Sequence, residues 1–97
     1  MSVAAILDLQ LKSESVETFH NWLKENLAET RAFVGCQSLI AYSNKENPTN
    51  VIIYEIWDSV EHHQKYVAWR EENGSLATFA ENLAAPPNIR YLDPLDV

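Results

Sequence analysis

Four ring-bearing side chains, His62, His63, Tyr66 and Trp69, fall within one short stretch of the chain. A histidine titrates close to working pH, so either imidazole can act as a general base. His63 is the first candidate. At about 100° per residue it shares a helical stripe with Val60, Val67 and Arg70, and burial on that stripe would keep its ring neutral. His62 lies on the neighbouring stripe with Tyr66 and Trp69 and is the second candidate. Two adjacent histidines point to different faces of one helix and cannot chelate a single ion. Zinc would need i, i+4 spacing or further ligands, so no metal site is expected. Glu55 stands upstream on a strand face shared with Val51, Ile53 and Trp57. A carboxylate buried there must be paired or protonated. It either bonds to backbone or to an arginine across the fold, or it serves as a base. Tyr66, a further catalytic candidate, could line a flat apolar slot between helix and sheet together with Trp69, Tyr42 and Tyr54, with Arg70 or His63 at its mouth. Trp22 is read first as the rim of the core and second as a ligand contact. Such a slot suits an aromatic or quinol substrate.

The elements that must position these groups are legible from periodicity. Val3 to Leu11 alternates as a first strand, with one face fully apolar and the other apolar only in its first half. Ser13 or Ser15 can cap a helix whose stripe runs Val16, Phe19, Leu23, Leu27, through to about Ala32. Cys36 to Ser43 reads as a second strand. The polar stretch from Asn44 to Asn50 then reads as a hairpin loop longer than two residues, and Val51 to Trp57 returns antiparallel. Asp58 can cap the helix that follows, with Glu61 answering it in a capping box. That helix runs to about Glu72 and ends at Asn73-Gly74. Ser75 can cap a short helix carrying Leu76, Phe79, Ala80 and Leu83. Pro86-Pro87 stops it, and Asn88 to Leu92 is a last strand.

The order β-α-β-β-α-(α)-β is the ferredoxin-like split βαβ arrangement, an α+β fold of one domain over residues 1–97. Helices cover one face of such an antiparallel sheet. The opposite face would expose too much apolar surface for a monomer, and a second copy is the simplest cover. A homodimer is therefore expected. With 7 basic against 14 acidic residues the net charge is -7, which disfavours nucleic acid and anionic membrane surfaces as partners. The first eleven residues lack the basic region of a signal peptide, and no stretch is long enough to span a bilayer, so a cytoplasmic location is expected. Cys36 is the single cysteine, which excludes an internal disulfide and a thiolate metal site. Gly35 and Gly74 are the only glycines, so there is no phosphate-cradling loop.

Glu55, Trp57, Ser59 and Glu61 form an E-x-W-x-S-x-E element that follows an apolar strand and opens a helix. In this element, its length and its order of elements, the chain resembles the antibiotic biosynthesis monooxygenase (ABM) domain family of the dimeric α+β barrel superfamily. The resemblance implies a dimeric α/β barrel with a small-molecule site. Family members include quinol or anthrone-type monooxygenases, haem-degrading enzymes and an isomerase-like branch. Many members carry a histidine nine residues after the tryptophan, where this chain has Tyr66; a later family histidine is also replaced, in the stretch from Trp69 to Leu76. Haem-degrading members have an asparagine in the first strand where this chain has Leu7, which ranks haem degradation below the other activities.

The expectation is thus a monooxygenase that oxidises a small aromatic or quinol substrate with O₂ and uses no bound cofactor. In such chemistry the substrate's own carbanion reduces O₂. The protein supplies a base, a dry slot and hydrogen bonds to developing charge. A non-catalytic dimeric ligand-binding module and an isomerase of the same fold are the alternatives.

Overall fold

A computed structural model describes residues 2–97. Strand β1 (Val3–Gln10) leads through a single 3-10 turn into helix α1 (Val16–Ala32). A hairpin follows, β2 (Cys36–Asn44) and β3 (Asn47–Trp57), then helices α2 (Val60–Glu72) and α3 (Ser75–Ala80), and finally β4 (Asn88–Leu92). The sheet order is β2-β3-β1-β4, and every neighbouring pair is antiparallel. This is the α+β arrangement expected from the order of elements, with the helices on one face.

The register decides what each face carries, because directly opposed residues project to the same side. Ala5, Leu7 and Leu9 of β1 oppose Glu55, Ile53 and Val51 of β3, and all six are buried. Against them α1 lays Phe19, Leu23 and Leu27, spaced one turn apart, while α2 and α3 add Tyr66 and Phe79. Each such side chain removed from water contributes about 1.5–3 kcal/mol. The other face carries Ile40, Tyr42, Tyr54 and Leu92, each 43–53% exposed.

Several local details differ from expectation. Ser59, not Asp58, caps α2, its hydroxyl accepting from the His62 backbone N–H at 3.2 Å. Asp58 is drawn away: its carboxylate accepts from Gln37 Nε2 at 2.8 Å, and its N–H donates to Gly35 O. Glu61 is exposed and takes no part in a capping box. Neither Ser13 nor Ser15 makes a side-chain cap on α1, and Gly74, not Ser75, occupies the cap position of α3. The hairpin turn is also shorter than expected. Asn44 pairs with Asn47 across Lys45-Glu46, and a register break before Val51 absorbs Pro48, which cannot donate to a ladder. Gly35 alone suits its place, with φ 95° and the His62 ring so close that a Cβ would lie 2.5 Å from it. Among the described residues no helix is long and apolar enough to cross a membrane.

Candidate functional site

Between the sheet and α2–α3 lies a cavity with about 70 Å³ of space open to the centre of a water molecule. Its walls are aliphatic and aromatic: Leu7 and Ile53 from the sheet floor, Trp22 and Leu27 from α1, Phe79 from α3 and Ile89 from β4. Polar groups reach it from Glu55, His63 and Arg70. The sheet floor follows from period two, which puts Leu7, Ile53 and Glu55 on the helix side. The roof follows from the period of 3.6, which puts His63, Tyr66, Val67 and Arg70 on the inner side of α2.

Glu55 is 3% exposed and accepts a 2.7 Å hydrogen bond at Oε1 from the Trp57 indole N–H, two residues along the same strand face. His63 is 1% exposed, and its Nε2 stands 3.6 Å from the same Oε1. Its other ring nitrogen, Nδ1, lies 2.7 Å from the hydroxyl of Tyr91 on β4. Burial sets both charge states. It raises the Glu55 carboxyl to about 7, only partly offset by the indole hydrogen bond, and lowers His63 to about 4. At neutral pH the imidazole is therefore uncharged and the carboxyl is poised near its midpoint. Glu55 Oε2 has no hydrogen-bond partner among the described residues. No fully buried side-chain nitrogen or oxygen there lacks one, so Oε2 and the equally unbonded His63 Nε2 are not fully enclosed, and both residues line the cavity.

Arg70 is arranged in the opposite way. Its Nε donates to Tyr66 Oη at 2.8 Å, Nη2 to Asn26 O at 2.8 Å and to Thr30 Oγ1 at 2.9 Å, and Nη1 to Ser75 Oγ at 3.2 Å and Glu29 Oε1 at 3.4 Å. All five N–H donors of a guanidinium are engaged. The rings of Trp22, Tyr66 and Trp69 surround its Cζ at 4.8–5.4 Å. Arg70 thus borders the cavity as a fixed charge with no donor to spare, and it ties α2 to α1 and α3. The Tyr66 hydroxyl belongs to the same knot, 2.7 Å from Thr30 Oγ1. Tyr66 offers the cavity its ring, not its hydroxyl.

The structure brings together His63, Glu55, Tyr66, Trp22 and Arg70 and separates the rest. His62 packs on Gly35 with Nδ1 2.7 Å from Ser59 Oγ, outside the cavity. Trp69 is spent on Phe33, Tyr66 and Arg70 and does not line the cavity. Tyr42 and Tyr54 lie on the far face, so the slot they were expected to share with Tyr66 and Trp69 does not form. Neither the backbone nor the arginine partner expected for Glu55 is found among the described residues; its neighbours there are Trp57 and His63. Tyr91 was not anticipated, although the alternation Ile89, Tyr91 in β4 placed it on the inner face. Among the described residues no group of three His, Cys, Asp or Glu could hold a metal ion.

With this geometry in view, the profile of the antibiotic biosynthesis monooxygenase family matches residues 2–81. The chain belongs to that family. The ABM fold recurs in a protein from Mycobacterium tuberculosis at 22% identity, covering 100% of this chain and 98% of that one with a TM-score of 0.85. It recurs in a conserved protein from Methanosarcina mazei at 22% identity, with coverages of 94% and 90% and a TM-score of 0.84. A Caulobacter crescentus protein that carries the ABM name is 16% identical, covering 98% of this chain and 91% of its own with a TM-score of 0.84. No curated protein matches the chain. At these identities the three structures share the fold with this chain, and the chemistry has to be argued from the side chains above.

Proposed function

We propose that this ABM protein is a cofactor-independent monooxygenase acting on a small aromatic substrate of quinol or anthrone type. One observation carries the reading: an apolar cavity with an acid–base pair, Glu55 and His63, along one edge. The apolar walls bind a flat ring and keep water from the reactive anion. The pair removes a proton from the activated C–H or O–H of the substrate. The anion then gives one electron to O₂, and the two radicals combine to a peroxide. The peroxide takes the proton back and loses water as a carbonyl forms, so a methylene and O₂ become a carbonyl and water. The base must therefore be a group that holds a proton briefly near neutral pH, as a carboxyl brought to about 7 does. Oxygen uptake with naphthoquinols and anthrones should run faster than autoxidation. Tight binding without turnover would instead make the chain a ligand-binding module, and turnover without O₂ an isomerase.

The functional unit in this reading is a homodimer. Ile40, Tyr42, Tyr54 and Leu92 on the open sheet face are the surface a second copy would cover. Sedimentation at micromolar concentration should give about twice the chain mass of 11.1 kDa; a stable, soluble monomer would sink this assignment.

A further inference from the structure

We propose that Glu55, through its Oε2, is the group that takes the substrate proton, and that Tyr91 is a positioning residue that keeps the His63 Nε2–H turned toward Glu55. The inference rests on the monooxygenase reading for its chemistry and on geometry for its assignment. His63 Nδ1 and the Tyr91 hydroxyl are 2.7 Å apart, so one of them carries the shared proton. A phenol O–H is the more acidic donor of the two, and an imidazole nitrogen is a far better acceptor than a phenol oxygen. The bond therefore runs from Tyr91 O–H to Nδ1. A neutral imidazole then carries its own hydrogen on Nε2. That N–H faces Glu55 Oε1 at 3.6 Å, an electrostatic contact rather than a hydrogen bond. Oε1 already accepts from Trp57, so two N–H dipoles converge on one oxygen and leave the other, Oε2, as the open acceptor on the cavity. In this arrangement His63 has no free lone pair and cannot be the base. Tyr91 holds its hydroxyl on His63 while remaining 38% exposed at the sheet edge, and burial together with the Glu55 charge raises its ionisation above the ordinary value.

Two measurements separate this from the wider functional reading. In the intact protein, ring-nitrogen NMR shifts report the tautomer of His63 whatever the enzyme does. Nε2–H is expected in the wild type, with that preference lost in Tyr91→Phe. An Nδ1–H tautomer in the wild type overturns the assignment. The second measurement is oxygen uptake with anthrone and a naphthoquinol as probes. Glu55→Gln should lose about 10²-fold or more of kcat. Tyr91→Phe should weaken the dipole that favours the Glu55 carboxylate. The rising limb of its pH profile then moves to higher pH, while KM and the kcat plateau at high pH hold. A loss of kcat equal at all pH values would reduce Tyr91 to a packing role and overturn the proposal. The charged and titratable groups around Glu55 that bear on this limb are His63, Tyr66 and Arg70 of α2, Tyr91 of β4 and Cys36 of β2. Glu29 of α1 acts through Arg70. If wild-type protein consumes no oxygen with either probe, the monooxygenase reading fails and the tautomer alone decides the geometry.

Discussion

Helix α2 buries two polar side chains two turns apart, His63 and Arg70, and they are treated in opposite ways. Around Arg70 every donor has an acceptor, three aromatic rings close over the guanidinium, and α1, α2 and α3 are joined through it. Around His63 and Glu55 the network is incomplete: Glu55 Oε2 and His63 Nε2 make no hydrogen bond, and both residues line the cavity. A buried polar cluster that is fully satisfied holds a fold together, because removing any member leaves the others unpaired at low dielectric. A cluster left open on one side, next to an apolar hollow, is where a ligand group can complete the set. In the proposed reading, the contrast leaves structure to Arg70 and chemistry to Glu55.

The largest expected effect tests the structural half. Arg70→Ala removes the charged donors to Tyr66, Thr30 and the Asn26 carbonyl and empties the space between three rings, and should cost about 3 kcal/mol or more in urea unfolding. Arg70→Lys should recover only part of this, since an ammonium cannot reproduce the fork. A loss below about 1 kcal/mol would show that the knot is not what secures α2.

The next effect sharpens the other half through pH. Glu55 binds its proton more tightly folded than unfolded, so its contribution to stability falls as pH rises from about 4.5 to about 7. His63 binds its proton less tightly when folded, so its contribution is lost as pH falls from about 6.5 to about 4. Each is on the order of 3 kcal/mol at about 1.36 kcal/mol per unit, and between about pH 4.5 and 6.5 the two slopes cancel. Wild-type stability should therefore show little slope from this pair across that window. Glu55→Gln should gain stability as pH rises through it, and His63→Gln should lose stability. Parallel pH profiles for all three proteins would contradict the opposed shifts.

Smaller effects follow within the knot. Tyr66→Phe leaves the Arg70 Nε–H without its acceptor and should cost about 1–3 kcal/mol, with turnover changed by no more than a few-fold because the ring stays in the cavity wall. Trp69→Ala should lower stability by loosening Phe33 and Arg70 while leaving KM nearly unchanged. A selective rise in KM would return Trp69 to the binding site.

The sequence by itself determined the order of elements, the two alternating faces of each strand and the stripe of α2 that carries His63 and Val67, because periods of 2 and 3.6 are local properties of the backbone. His63 is expected to be buried on that basis and is, whereas Arg70, expected at the mouth of a slot, is buried as well. Period two also carried the signal that Tyr54, one residue from Glu55, had to face away from it. Capping and turn details were less legible, since Asp58, Ser59 and the 44–50 stretch each contain several residues competent for the same role. Only the tertiary structure decided which distant groups meet. Tyr91 reaches His63 because β4 pairs with β1 at the sheet edge, and Arg70 finds Asn26 and Thr30 because α1 crosses the same face. Those pairings depend on register and helix packing between segments far apart in the chain, which no local pattern encodes. They separate the saturated arginine from the open carboxylate.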